Sequence, residues 1–236
     1  MKKKSILLFG FPNSGKTSLF NSLTNSRHKT VNYPGSTVHF EKGALVGRDD
    51  IMVVDTPGIQ SLESNSEDEI LSVSCLTHLD DLIPDLQSVP DIVLVCVDCT
   101  QRSRHLVLAK QLKDMGFHIV IALTMVDLAE RCHKLMDAAK LSYSIGCRVI
   151  PVNVNLKENM TMLTAGLLQE INYVKNTAPS LNVNSTPAGI QSAYKWADQV
   201  IQSVQLKPKQ FLKDLDLDRW ILHPLLGPFI FIAIMG

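Results

Sequence analysis

An excess of charge of either sign is missing from this chain: Lys plus Arg and Asp plus Glu number 23 each in 236 residues. A balanced surface lacks the broad positive field that draws a domain to nucleic-acid backbones, so no nucleic-acid partner is expected. Cysteine is sparse, with five residues (Cys75, Cys96, Cys99, Cys132 and Cys147) in an odd number and at irregular spacing. That argues against a disulfide framework and fits a reducing compartment. Cys96 and Cys99 make one CxxC, without the second pair that a four-ligand zinc site needs. The seven histidines have no metal-ligand spacing. Long apolar runs are also scarce. MKKK followed by ILLF is too short for a secretory core, which needs about 7–15 apolar residues. The exception is residues 221–236, ILHPLLGPFIFIAIMG, which hold no formal charge. As a helix they would span about 24 Å, short of the ~30 Å hydrocarbon core. They read either as a C-terminal core segment or as the start of a truncated transmembrane segment.

Apolar residues make up 45% of the chain, enough for a substantial core. Short apolar runs alternate with stretches of helical spacing. Ile6–Phe9 leads to a helix from near Gly15. Val38–Val46 and Ile51–Val54 are neighbouring strands joined by a short turn, the former antiparallel at the edge. Ile92–Val97 precedes helical 103–115, Phe117–Leu123 precedes 128–141, and Arg148–Val152 precedes 160–173. This alternation predicts an α/β fold: a mostly parallel six-stranded sheet with helices on both faces. The pattern ends near residue 172. Residues 174–188 are polar and contain two prolines, and Ala193, Trp196, Ala197, Val200, Ile201 and Val204 then repeat at helical spacing. The expected organisation is an α/β domain over 1–172, a polar stretch and a further helical stretch after it, and the apolar tail over 221–236.

The first strand runs into Gly10-Phe-Pro-Asn-Ser-Gly15-Lys16-Thr17, a GxxxxGKT phosphate loop in its strand–loop–helix context. Glycines let the loop fold tightly round an anion, and the helix that follows presents its positive end. Lys16 supplies a charge to β and γ phosphates and Thr17 a hydroxyl to Mg²⁺. Gly10, Asn13, Ser14, Gly15 and Ser18 complete the expected nucleotide contacts. Asp55-Thr-Pro-Gly58 closes the apolar run IMVV, which puts Asp55 at a strand end, where it can hold Mg²⁺. The Gly58 N–H there can meet a γ-phosphate. Thr37, in the loop Val31–Val38, is placed to join Mg²⁺ only when the γ-phosphate is present; it also suits a residue that merely opens a strand. Thr124-Met125-Val126-Asp127 follows the run IVIAL. Asp127 can accept from guanine N1–H and the 2-amino group, donors that adenine lacks, or can cap a helix beginning at Leu128. The usual pattern is Asn-Lys-x-Asp; here Thr124 and Met125 stand in the first two places. Asn153 and Val154 occupy the loop that would complete the base pocket. Glu67-Asp68-Glu69 reads as the solvated start of a helix.

Taken together, GFPNSGKTSLFNSLT, NYPGSTV, DTPGIQSL followed by SEDEI, and TMVD resemble the amino-terminal G domain of the FeoB family of ferrous iron transport proteins. Leu217–Gly227, LDRWILHPLLG, looks like the approach to that family's first membrane span. The resemblance implies a P-loop GTPase fold and a slowly GTP-hydrolysing switch domain with GTP or GDP and Mg²⁺ as ligands. It implies a site on the cytoplasmic face of the bacterial inner membrane. It also implies a helical domain, over 173–220, of the kind that inhibits nucleotide dissociation. The partners it implies are the family's own membrane channel domain, small accessory iron-transport proteins and further copies of the chain. Lys16, Thr37, Asn13 and Gly58 are the catalytic candidates. Ile59 stands where many GTPases have a water-orienting glutamine. By resemblance to potassium-activated GTPases, Asn13 would hold K⁺ against the phosphates; on its own chemistry it could equally brace the loop through side-chain bonds. Two other readings stay open: a soluble GTPase of ribosome assembly or RNA modification, and a nucleotide-dependent interaction module without hydrolysis.

Overall fold

The centre of the fold is a strand with no exposed face. β1 (Lys4–Phe9) is buried from Ser5 onward. It turns Leu7 and Phe9 into one apolar cluster and Ile6 and Leu8 into another. β5 (Ile92–Asp98) divides in the same way, with Val93, Val95 and Val97 on one side and Ile92, Leu94 and Cys96 on the other. Continuous apolar strands of this kind belong to parallel sheets covered on both faces. The computed structural model describes residues 2–25, 28–32, 39–59, 62, 67–174, 179 and 187–206. The loop 33–38 with Thr37, part of the 174–188 stretch and the whole of 207–236, including Leu217–Gly227, lie outside the described residues.

β1 pairs in parallel with β4 (Arg48–Asp55) and β5, and β6 (Ile119–Thr124) and β7 (Arg148–Pro151) extend the parallel part. β3 (His39–Leu45) is antiparallel to β4, and β2 (His28–Asn32) is antiparallel to β3. The sheet order is β2-β3-β4-β1-β5-β6-β7. Among the described residues the sheet therefore has seven strands rather than the expected six, and β2, not β3, forms the edge. β2 reads HKTVN, with too little apolar alternation to signal a strand; its main-chain pairing with β3 is what defines it.

α1 (Lys16–Thr24) and α7 (Lys157–Ile171) cover one face through Leu19, Phe20, Leu23, Leu163, Leu167 and Ile171. The other face is covered by α2 (Glu67–Thr77), α3 (Leu79–Leu82), α4 (Arg102–Asp114), α5 (Val126–Arg131), α6 (Ala138–Ile145) and α8 (Pro187–Val204). The single helix expected over 128–141 is two. His133 adopts a left-handed backbone (φ 54), Met136 bridges to Gln205, and the Asp137 carboxylate caps α6 by accepting from Ala139 and Lys140 N–H groups. Glu69 also departs from expectation. It is buried, while Glu67 and Asp68 are exposed.

α8 lies in the same compact unit as the sheet. Ala197, Val200, Ile201 and Val204 enter the core cluster, and Ser103 of α4 donates to Asp198 at 2.7 Å. Lys110 sits over the Trp196 ring at 5.2 Å. Its C-terminal end is bonded to the α5–α6 connector, with Asp137 N–H donating to the Val204 carbonyl at 2.8 Å. Truncating Ile201, 7% exposed, to alanine should therefore cost the whole unit about 2–4 kcal/mol. Urea unfolding followed by sheet and helix signals checks this: one transition at a lower midpoint is expected.

Candidate functional site

The carboxyl ends of β1, β4, β5 and β6 meet at one rim of the sheet, where strand order reverses on either side of β1. Such a switch point opens a crevice for ligands. The loop Gly10–Gly15 fills it. Gly10 and Gly15 have φ of 151° and 88°, and a Cβ on Gly10 would stand 2.9 Å from the Cys96 carbonyl oxygen. Gly15 is the N-cap of α1 and carries no side-chain cap, so the first N–H groups of α1 are left for an external acceptor.

Lys16 is the buried charge of the site, at 6% exposure. Its Nζ donates to the carbonyls of Gly10 at 3.1 Å and Phe11 at 2.9 Å. An ammonium has three protons, so one remains. Burial holds the Lys16 group below the ordinary lysine value, with neighbouring Cys96 and Asp55 acting the other way. Thr17 Oγ1 donates to Asp55 Oδ2 at 2.9 Å, and Asp55 Oδ1 is buried with no partner among the described residues. The Ser14 hydroxyl is likewise buried and has none among them. A hydroxyl with free lone pairs beside an orphaned carboxylate oxygen is a donor set that fits a hydrated Mg²⁺.

The remaining expected residues surround this centre. Gly58 packs so closely on Pro12 that a Cβ would meet its N and Cα at 2.7 Å. Ile59 N–H donates to the Gly10 carbonyl at 3.1 Å, and its side chain is fully buried. Asn13 has a left-handed backbone (φ 60), and its exposed amide makes no bond to the described residues. Ser18 is exposed on α1. Thr124 is buried and donates to the Ser14 carbonyl at 2.8 Å. α5 begins at Val126 with Met125 as its N-cap. Asp127 thus lies inside the first turn rather than capping it, with its carboxylate exposed. Asn153 accepts from Asn155 N–H at 3.0 Å, in a turn where its own N–H donates to Asn159 at 3.1 Å, and Val154 is half-buried beside it. Cys96 and Cys99 enter opposite core clusters and do not form a common site. Thr37 lies outside the described residues.

Sequence reasoning missed Phe11. Its ring packs on His105 with centroids 4.5 Å apart and under the Arg104 guanidinium at 4.2 Å, which anchors the loop to α4. An aromatic residue next to the first loop glycine was the available signal. Thr56 and Ser72 were missed as well: Thr56 Oγ1 donates to the Leu8 carbonyl at 2.7 Å, and Ser72 Oγ to that of Pro57 at 3.0 Å.

Burial pushes the Asp55 carboxyl from 3.8 up to about 6, against the opposing Thr17 bond and Lys16 charge, with Glu41 adding to the rise. The folded state holds this proton more tightly than the unfolded chain. The contribution is therefore full below the unfolded value and is lost as pH rises through the folded one. At neutral pH the buried charge costs about 3 kcal/mol. Without nucleotide or Mg²⁺, Asp55→Asn should melt higher than wild type at neutral pH, and the gap should close towards about pH 4. Melting curves across that window check the sign.

Residues 4–167 match the family model described as Ferrous iron transport protein B. The chain is 35% identical over 182 residues to the Fe(2+) transporter FeoB of Legionella pneumophila (strain Lens), covering 75% of this chain and 23% of that protein. Against the Fe(2+) transporter FeoB of Salmonella typhimurium it is 37% identical over 153 residues, covering 64% of this chain and 19% of the relative. It thus spans less than a quarter of the length of these relatives. Among solved structures, the cytosolic domain of L. pneumophila FeoB aligns at 33% identity and TM-score 0.61, over 85% of this chain and 75% of that one. The cytosolic domain of T. maritima FeoB in its GMPPNP form aligns at 27% identity and TM-score 0.64, over 78% and 69%. With all seven described strands and the whole phosphate-loop rim inside the matched region, the chain belongs to the ferrous iron transport protein B family.

Proposed function

We propose that this chain is a GTP-binding, slowly GTP-hydrolysing switch domain acting at the cytoplasmic face of a membrane transporter whose cargo is ferrous iron. The observation that carries the reading is the phosphate-loop centre: a buried Lys16 ammonium with one proton, and a buried Asp55 with one oxygen, that have no partner among the described residues. A relative's structure is described as a GMPPNP form and another as bound to GDP, which supports a guanine nucleotide here.

In this reading the N–H groups of Gly10–Gly15 and of the first turn of α1 surround the β-phosphate. Lys16 would direct its remaining N–H at the β- and γ-phosphate oxygens, and the Gly58 N–H would meet the γ-phosphate. Thr17 and Asp55 would hold Mg²⁺, with Thr37 joining them in the triphosphate state. Among the described residues no three His, Cys, Asp or Glu side chains converge on one point. Mg²⁺, when bound, neutralises charge on the β and γ phosphates. Asp127 reads the base, beside the loop of Asn153 and Val154. Residue 59 orients no water, because its side chain is packed in the core. Asn13, exposed and unengaged, is the group that would hold K⁺; that ion, when bound, adds positive charge against the phosphates as an arginine finger does. Nucleotide state would order the loops around Thr37 and Gly58. The 173–220 segment, which includes α8, would carry the change towards a membrane channel domain, with accessory iron-transport proteins and further copies of the chain as the other partners.

Steady-state GTP turnover with Mg²⁺ is expected at about 10⁻⁴ to 10⁻² s⁻¹. It should be faster in KCl than in NaCl at equal ionic strength. Asn13→Ala should remove that difference. Equal wild-type rates in the two salts would exclude the K⁺ role, and absence of turnover with intact GTP binding would make the domain a binding switch.

A further inference from the structure

The guanine-nucleotide reading above leaves open how the base is chosen, and Thr124 bears on that directly. It ends β6, is 4% exposed, and gives its hydroxyl proton to the Ser14 carbonyl at 2.8 Å. Its methyl group lies against Gly15, 3.6 Å from where a Cβ on that glycine would stand. A threonine hydroxyl has a single proton. With that proton committed to the phosphate loop, the side chain has no donor to offer a base. Met125 has none either, and Asp127 is an acceptor whose exposed carboxylate has no partner among the described residues. Guanine presents N7 and O6 as acceptors and its 2-amino group as a donor, with N1–H beside the latter. Residues 124–127 can therefore meet only the donor edge through their side chains.

We propose that Thr124 is a positioning residue that ties β6 to the phosphate loop, and that Asp127 selects the base by its donor edge while N7 receives no bond from Thr124. This separates two tasks that a single asparagine could combine, since a primary amide has two protons. One could go to the Ser14 carbonyl and the other to N7.

The test is equilibrium binding of GTP, 7-deaza-GTP and ITP, which lacks the 2-amino group, to the wild type and to Thr124→Val, Thr124→Ser and Thr124→Asn. Wild type should bind GTP and 7-deaza-GTP within about twofold and ITP at least about tenfold more weakly. Thr124→Val should weaken GTP and 7-deaza-GTP by the same factor, about fivefold, and Thr124→Ser should restore both. Thr124→Asn should create a preference for GTP over 7-deaza-GTP of about threefold to tenfold. A wild-type preference for GTP over 7-deaza-GTP of about fivefold or more would overturn the inference alone. So would unchanged GTP binding by a folded Thr124→Val. If that variant does not fold, the wild-type, Thr124→Ser and Thr124→Asn comparisons decide. Absence of binding by every guanine nucleotide would overturn the inference together with the reading on which it rests.

Discussion

The site depends on a buried ammonium satisfied by dipoles rather than by an opposite charge. An isolated buried cation costs several kcal/mol, and Lys16 meets this with the carbonyls of Gly10 and Phe11. Carbonyl oxygens accept the ammonium's N–H groups without cancelling the charge. Asp55, whose charge acts on Lys16, bonds to Thr17 instead and keeps one oxygen without a partner among the described residues. A positive and a negative centre therefore stand side by side, each with bonding capacity left over. That arrangement is poor for stability in isolation and well suited to a ligand carrying both phosphate and a divalent ion.

Holding such a loop in place requires a rigid frame. Gly58 closes on Pro12, Ile59 N–H reaches the Gly10 carbonyl, and Thr124 reaches that of Ser14. Phe11 ties the loop to α4 through His105 and Arg104. α4 is in turn bonded to α8 through Ser103 and Asp198. The same α8 is bonded to the α5–α6 connector, downstream of Asp127. The phosphate loop, the 124–127 segment and α8 thus share a continuous set of packed and hydrogen-bonded contacts.

The phosphate loop was legible in the sequence because its chemistry is local: glycines at fixed spacing, a lysine and a threonine between a strand and a helix. The strand end at Asp55 was legible for the same reason, since IMVV announces the strand. β2 was not, because HKTVN is defined by pairing with β3 and not by its own pattern. The break between α5 and α6 was hidden because it rests on the left-handed backbone of His133 and on a bridge to Gln205, which is distant in sequence. The burial of Glu69 and the task of Thr124 were hidden likewise. A threonine in a motif says which proton it has, and only the fold says where that proton goes.

The most direct measurement is calorimetric titration of the protein with GTP in the presence and absence of Mg²⁺, with ATP as the control. Saturable one-to-one GTP binding that tightens with Mg²⁺, and no comparable ATP binding, is the expected result. Absence of GTP binding, or equal binding of ATP, would contradict the assignment of the Lys16–Asp55 centre and the Asp127 segment to a guanine nucleotide.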